Sequence, residues 1–145
     1  FKSLGPEPLI KGFSVQNFYE NLNKRQSSIK SLLLNQSVIS GLGNIYVCES
    51  LFLAKISPFV LGCKLSLKDI ECLYSKIEEV LKKAIKEGGT TIQDHKNISG
   101  EIGYFQNYLS VYNRENNTCI NNCGALIRRD IQNGRSTYHC PICQK

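Results

Sequence analysis

Residues 119–145 decide the fold of the tail and read CINNCGALIRRDIQNGRSTYHCPICQK. They hold two close cysteine pairs, Cys119 with Cys123 and Cys140 with Cys143, separated by the sixteen residues 124–139. Two tight turns that each supply two thiolates, joined by a hairpin, suit a tetrahedral zinc site. The alternative is two disulfides in a secreted domain, but the first residues show no apolar signal-peptide pattern. The spacing therefore predicts one structural Zn²⁺ bound by the four cysteines.

The segment between the cysteine pairs carries three arginines. Arg128 and Arg129 are adjacent, so they alternate sides of a predicted strand and at least one should face a bound polyanion. Asn133 and Gly134 form a favoured type I′ turn pair, which places Arg135 at or near a rigid hairpin tip. An arginine in that position suits a phosphate or groove contact, and the alternative is a solvated turn residue.

The overall composition limits the class of protein. The chain has 145 residues, 41% of them hydrophobic, which suffices for one modest domain and a small satellite. Eighteen basic and twelve acidic residues leave a net charge of +6, which favours a polyanionic partner. No apolar run is long enough to span a bilayer, so no membrane partner is expected. The other cysteines, Cys48, Cys63 and Cys72, lack metal spacing and are expected to be buried or half-buried thiols.

Hydrophobic periodicity and capping residues predict four helices before the tail, at residues 15–22, 29–34, 45–55 and 67–87. Residues 90–105 are polar and punctuated by glycine, which predicts a loop, and residues 109–112 predict a short strand. The predicted fold class is mostly α, with a small β-hairpin zinc finger.

Two segments of the helical part could bind an anion. In GLGNIY, residues 41–46, two glycines allow close backbone approach and Asn44 stands at the entry of a helix, which suits a phosphate. An equally good interpretation is a tight turn with Asn44 as an ordinary N-cap. Residues 24–30, KRQSSIK, place Lys24, Arg25 and Lys30 around the start of the second helix, although charge runs are usually solvated faces. Lys30 could reach the same anion as the Asn44 turn if the two helices pack side by side.

The sequence shows no self-contained catalytic centre. No nucleophile stands at a recognisable spacing from a base, and the two histidines, His95 and His139, are far apart. His139 precedes Cys140, but four cysteines already complete the metal site, so we expect it to be a packing or surface residue.

At these motifs the sequence resembles the C-terminal half of the formamidopyrimidine-DNA glycosylase family. The stretches that carry the resemblance are LGPEPL at 4–9, IKSLLLNQSVISGLGNIYVCESLF at 29–52, KISP at 55–58, EGGTTIQD at 87–94, GEIGYFQNYLSVYNRE at 100–115 and GRSTYHCPICQK at 134–145. The resemblance implies a helix–two-turn–helix domain at 1–95, a lesion-loop connector at 96–109 and a zinc finger at 110–145. Together these parts would clamp damaged duplex DNA from which an oxidised purine, such as 8-oxoguanine or a formamidopyrimidine, is flipped out.

The resemblance also implies roles for individual residues. Lys30 and Asn44 resemble the residues of the family that bind the phosphates flanking the lesion, and Arg25 resembles a further DNA-contact residue. Arg135 resembles the zinc-finger arginine that binds the phosphates and is assigned the proton-donor role in δ-elimination. Asn113 stands where glycine is common, and asparagine also tolerates a left-handed backbone.

The catalytic proline and glutamate of the family belong to an N-terminal β-rich domain, and Phe1 cannot replace that proline. We therefore expect this chain to bind DNA without excising a base, as a monomeric part of a bacterial, cytoplasmic glycosylase and AP lyase whose catalytic half could act in trans. The alternatives are a free-standing module that binds damaged DNA without catalysis, and a zinc-ribbon protein of the RNA or translation machinery.

Overall fold

The computed structural model describes residues 4–88 and 109–145 of the chain. These residues form four helices, a 3-10 turn at Gly62–Lys64 and one antiparallel hairpin. The helices are α1 (Val15–Asn23), α2 (Ile29–Leu34), α3 (Asn44–Ala54) and α4 (Leu67–Gly88), and the strands are β1 (Arg128–Gln132) and β2 (Arg135–His139). The fold class is therefore the predicted one. None of the described helices combines the length and apolar character needed to cross a membrane.

Local capping fixes where the helices begin. The Ser14 hydroxyl accepts a hydrogen bond from the Asn17 amide at the start of α1, and Ser28 caps α2 in the same way. Ser66 and Asp69 form a reciprocal capping box at the start of α4, in which each side chain accepts from the other's backbone amide. These caps are encoded within four residues of sequence, which explains why the predicted starts agree with the structure.

Helix α3 lies between two apolar clusters. On one side Val47 and Leu51 pack against the other helices, and on the other side Cys48 and Phe52 pack against the finger. Residues 46–52 are all buried as a result. Because one helix contributes to both clusters, the finger is held directly against the helical unit.

The hairpin is in the register that its turn requires. Gln132 faces Arg135 and Arg128 faces His139 across the two strands. The turn residues Asn133 and Gly134 both have positive φ angles, 53° and 81°, as a type I′ turn needs. Arg135 is therefore the first residue of β2 after the tip.

The strand predicted at residues 109–112 is wrong. The backbone amides of Ser110, Val111 and Tyr112 all donate to the carboxylate of Glu49 in α3, at 2.7, 2.9 and 2.9 Å. The three amides therefore bond to a side chain and not to a neighbouring strand, and the backbone forms bends and turns at these residues. The next residue, Asn113, has a φ of 61°, in agreement with its predicted left-handed backbone.

Cys48 is buried and Cys63 is half-buried as predicted, but Cys72 is exposed because it lies on the outer side of α4. The predicted loop at residues 90–105 lies outside the described residues, as does the predicted connector at 96–109 apart from Leu109.

Candidate metal centre and nucleic-acid interface

The four predicted metal ligands converge in the finger. The sulfur atoms of Cys119, Cys123, Cys140 and Cys143 all lie within 4.8 Å of one another. The Sγ atoms of Cys119 and Cys143 are 3.7 Å apart and those of Cys123 and Cys140 are 3.4 Å apart. A disulfide bond is about 2.05 Å long, so these are four free thiols. The cluster can hold a metal ion.

Nearby N–H groups adjust the acidity of these thiols. A hydrogen bond from the Ala125 amide lowers the pKa of Cys123 to about 7, whereas burial raises the pKa of Cys119 to about 12. The amide of Cys143 also points at the sulfur of Cys140, at 3.3 Å. Such donors favour the thiolate form, which is the form that binds a metal.

The carbonyl oxygen of Ser136 joins the hairpin to two helices. Lys30 of α2 donates to it from Nζ at 3.0 Å, and Asn44 of α3 donates from Nδ2 at 2.9 Å. Ser136 directly follows Arg135, whose side chain is exposed and forms no hydrogen bond or ion pair with the described residues. Three of the four predicted DNA-contact residues, Lys30, Asn44 and Arg135, thus lie together near the hairpin turn.

Lys30 is almost completely buried, with 1% of its surface exposed. Its ammonium also donates to Thr137 Oγ1 at 2.7 Å. Burial lowers the pKa of Lys30, the nearby Cys48 raises it and Arg135 lowers it further. Lys30 therefore connects α2 to β2, and the ammonium has one further N–H beyond these two bonds.

Asn44 is not the N-cap of its helix. Gly43 occupies the cap position without a side-chain bond, and Asn44 is the first residue of α3. Its amide nitrogen points across to the hairpin, and its Oδ1 is buried without a hydrogen-bond partner among the described residues. The ordinary N-cap interpretation is therefore wrong, because a tertiary contact takes the side chain away from the helix start.

Arg25 lies apart from the other three. Its Nε donates to the backbone oxygen and the side-chain Oδ1 of Asn21, at 3.2 and 3.0 Å. It shares no hydrogen bond or ion pair with Lys30, Asn44 or Arg135.

Sequence reasoning missed the polar residues that dock the hairpin on α2. Gln132 donates from Nε2 to Ser28 Oγ at 2.9 Å and to the Pro58 carbonyl at 3.2 Å, and its Oε1 accepts from Thr137. At the tip, the Asn133 amide donates to the hydroxyl of Ser31. No signal in the sequence marks these contacts, because Gln132 and Thr137 resemble ordinary polar residues of a short hairpin.

His139 has a packing role, as expected. Its Nε2 lies 2.7 Å from Asp130 Oδ2, and its ring meets the edge of Phe59 at a centroid distance of 5.3 Å. It is not part of the four-sulfur cluster.

Comparison with known proteins decides the family. Residues 4–96, more than half of the chain, match the formamidopyrimidine-DNA glycosylase H2TH domain. The chain belongs to this H2TH family. It is 44% identical to the formamidopyrimidine-DNA glycosylase of Phenylobacterium zucineum, with 100% of this chain and 51% of that protein covered. The corresponding protein of Rhodopseudomonas palustris strain TIE-1 is 46% identical, with 99% and 51% covered.

Two solved structures from Lactococcus lactis have a similar fold. The complex of Lactococcus lactis Fpg with DNA containing an abasic site has a TM-score of 0.85 at 42% identity, covering 98% of this chain and 52% of that one. The Lactococcus lactis complex with DNA containing FAPY-dG also has a TM-score of 0.85 at 42% identity, with 98% and 51% covered. The chain thus spans about half the length of the relatives it matches, and those relatives are bacterial proteins.

Proposed function

We propose that this chain is the DNA-binding part of a bifunctional DNA glycosylase and AP lyase that acts on oxidised purines, such as 8-oxoguanine and formamidopyrimidines, in duplex DNA. The observation that carries the proposal is the convergence of Arg135, Lys30 and Asn44 on the base of one hairpin, in a chain of the H2TH family. The similar Lactococcus lactis proteins are bound to abasic and FAPY-dG DNA, which supports the same class of ligand.

The charge of the chain supports binding to a phosphate backbone. Its net charge is +6, and Arg128, Arg129 and Arg135 are all exposed on the hairpin. Most protein–DNA contacts of this type position the protein and do not read bases. We propose that Arg135 binds phosphates flanking the lesion and donates the proton in δ-elimination, with Lys30 and Asn44 beside it and Arg25 at a separate contact.

We propose Zn²⁺ as the metal of the finger. Tetrahedral coordination with Zn–S bonds of about 2.3 Å gives sulfur–sulfur distances of about 3.8 Å. Two of the six sulfur–sulfur distances, 3.4 and 3.7 Å, are close to that value, and all six are within 4.8 Å. Four thiolates leave no open coordination position, so the ion would stabilise the fold of the finger and would not bind substrate.

The function proposed for this chain by itself is binding. Among residues 4–88 and 109–145, the one close histidine–carboxylate pair, His139 with Asp130, packs against Phe59. We propose that the residues for base excision are supplied elsewhere in the same protein or in trans. We propose that the protein acts as a monomer in the bacterial cytoplasm, associated with the nucleoid, because its partner is DNA.

A binding and trapping experiment tests the proposal. Fluorescence anisotropy should show tighter binding to a duplex with a tetrahydrofuran abasic analogue than to the undamaged duplex, with a steep loss of affinity as salt rises. Borohydride treatment on abasic-site DNA should trap no covalent adduct with this chain. Equal affinity for a structured RNA would contradict the proposal in favour of an RNA-binding zinc ribbon, and a trapped adduct would show that the chain carries its own nucleophile.

A further inference from the structure

A small pocket opens between the side of α2 and the hairpin tip. Its volume is about 210 Å³, and its walls are formed by Lys30, Ser31, Leu34, Asn35, Gln132, Asn133 and Arg135. Two of these residues are cations and none is acidic. Arg135 lowers the pKa of Lys30, as expected for two positive charges that lie near each other. An anion in this pocket would relieve that repulsion.

A directed chain of hydrogen bonds runs from Lys30 toward Ser28. The Lys30 ammonium can only donate, so Thr137 Oγ1 accepts from it. The Thr137 proton is then donated to Gln132 Oε1 at 2.9 Å. The amide nitrogen of Gln132 in turn donates to Ser28 Oγ. Each donor and acceptor in this chain has one assignment, because the first member is a cation.

The proton of the Ser31 hydroxyl is fixed by the same reasoning. Ser28 Oγ accepts from Gln132 and from the Ser31 backbone amide, so its own proton goes to Ser31 Oγ at 2.9 Å. Ser31 Oγ also accepts from the Asn133 amide, which uses its second lone pair. The Ser31 proton therefore has no acceptor among the described residues, and Ser31 forms part of the pocket wall.

Other walls of the pocket also present donors. Asn35 uses its Oδ1 to accept from the amide and the hydroxyl of Ser37, so its NH₂ group is left to donate elsewhere. The Arg135 guanidinium has no hydrogen bond or ion pair with the described residues. A pocket lined by hydrogen-bond donors and no carboxylate suits an oxyanion as its ligand. A phosphate can accept hydrogen bonds from several such donors at once.

We propose that this pocket is a phosphate subsite in which the Ser31 hydroxyl donates to a non-bridging oxygen of a DNA phosphodiester that Arg135 also contacts. The inference rests on the proposed DNA-binding function and adds to it a specific donor, Ser31, together with the polar chain that orients its proton. Gln132 is a positioning residue in this scheme, since it acts through Ser28 and does not touch the phosphate.

A methylphosphonate scan tests the inference. Each phosphate near an abasic analogue is replaced in turn by a neutral methylphosphonate, and the affinity of wild type and of Ser31→Ala is measured. At one position wild type should lose about tenfold in affinity, the usual scale for a hydrogen bond to a charged group. Ser31→Ala should lose clearly less at that same position, since the contact is already absent.

Matched variants separate the hydroxyl proton from the other bonds of Ser31. Ser31→Thr keeps the hydroxyl and should reproduce the wild-type scan. If Ser31→Ala does not fold, Gln132→Leu breaks the orienting chain with Ser31 in place and should reduce the same penalty.

The outcomes are distinct. If the wild-type and Ser31→Ala scans coincide at every position while both proteins bind the duplex, the Ser31 subsite is wrong and the DNA-binding proposal stands. The same conclusion follows if Gln132→Leu, used in place of an unfolded Ser31→Ala, leaves the scan unchanged. If wild type does not bind the duplex at all, the proposed function and the subsite both fail.

Discussion

Lys30 and Asn44 donate hydrogen bonds to the same acceptor, the carbonyl oxygen of Ser136, from two different helices. A carbonyl oxygen has two lone pairs, so these two donors saturate it. The backbone next to Arg135 is thereby fixed relative to α2 and α3, while the arginine side chain itself remains exposed. The orientation of Arg135 depends on residues more than ninety positions away in the sequence.

The buried Lys30 should make stability depend on pH. Burial lowers its pKa, so between that lowered pKa and the ordinary value of 10.5 the unfolded chain binds more protons than the native one. Native stability should therefore rise with pH in this window, relative to a variant without the ammonium. We expect the unfolding free energy of wild type, minus that of Lys30→Met, to increase as the pH rises toward 10.5 in urea titrations. The exposed Lys24→Met serves as control, and a difference that falls with pH would contradict the prediction.

Glu49→Gln should loosen the start of the finger. The glutamine keeps one acceptor oxygen, but its NH₂ group would face backbone amides that also donate. Leaving buried donors unpaired costs about 1–3 kcal/mol, and we expect a loss of unfolding free energy on that scale. Hydrogen exchange at residues 110–112 should become faster. The exposed Glu71→Gln is the control, and unchanged exchange in Glu49→Gln would show that the carboxylate does not hold this segment.

Cys140→Ala should prevent metal binding by the finger. Wild type should contain one zinc per chain, and loss of one of four thiolates should release it and unfold residues 119–145. The helical core should persist, because the larger apolar cluster contains none of the four cysteines. Metal analysis and amide NMR spectra measure both effects, with Cys72→Ala as a control that keeps its zinc. Zinc retention with unchanged DNA affinity would reject the four-cysteine site.

Arg135→Ala should weaken DNA binding by about 1–3 kcal/mol and reduce the slope of log K against log salt by about one. The reason is that its guanidinium is exposed and has no ion pair among the described residues. The adjacent backbone is fixed by the hydrogen bond from Lys30 to the Ser136 carbonyl oxygen. Arg135→Lys keeps the charge but not the planar fork, so it should keep the slope and lose part of the affinity. An unchanged slope and affinity in Arg135→Ala would return the residue to the role of a solvated turn residue.

The sequence predicted those parts of the fold whose causes are local. Ser14, Ser28 and the Ser66–Asp69 box each set a helix start within four residues, and Asn133-Gly134 set the hairpin turn. The four cysteines also act over a short range, since the outermost two are 24 positions apart. Composition and spacing therefore sufficed for the architecture and for the four-cysteine cluster.

The failures involve contacts between distant residues. The carboxylate that displaces a strand at 109–112 comes from Glu49, at a separation of 61 to 63 positions. Asn44 looked like a helix cap because its partner, Ser136, lies 92 positions away. The docking residues Gln132 and Thr137 carry no motif, because their function depends on which helix the hairpin meets. Patterns in a single sequence do not encode such pairings.

The separation in sequence between Lys30 and Ser136 has a consequence for the order of folding. The cysteine cluster closes a loop of 24 positions, whereas the Lys30 contact closes one of 106. The entropic cost of closure grows slowly with loop length, and the longer loop costs about 1.3 kcal/mol more. Local contacts also form faster than distant ones. The four cysteines of the finger should thus come together first, and the docking of the hairpin on Lys30 and Asn44 should be a late, separately observable kinetic step.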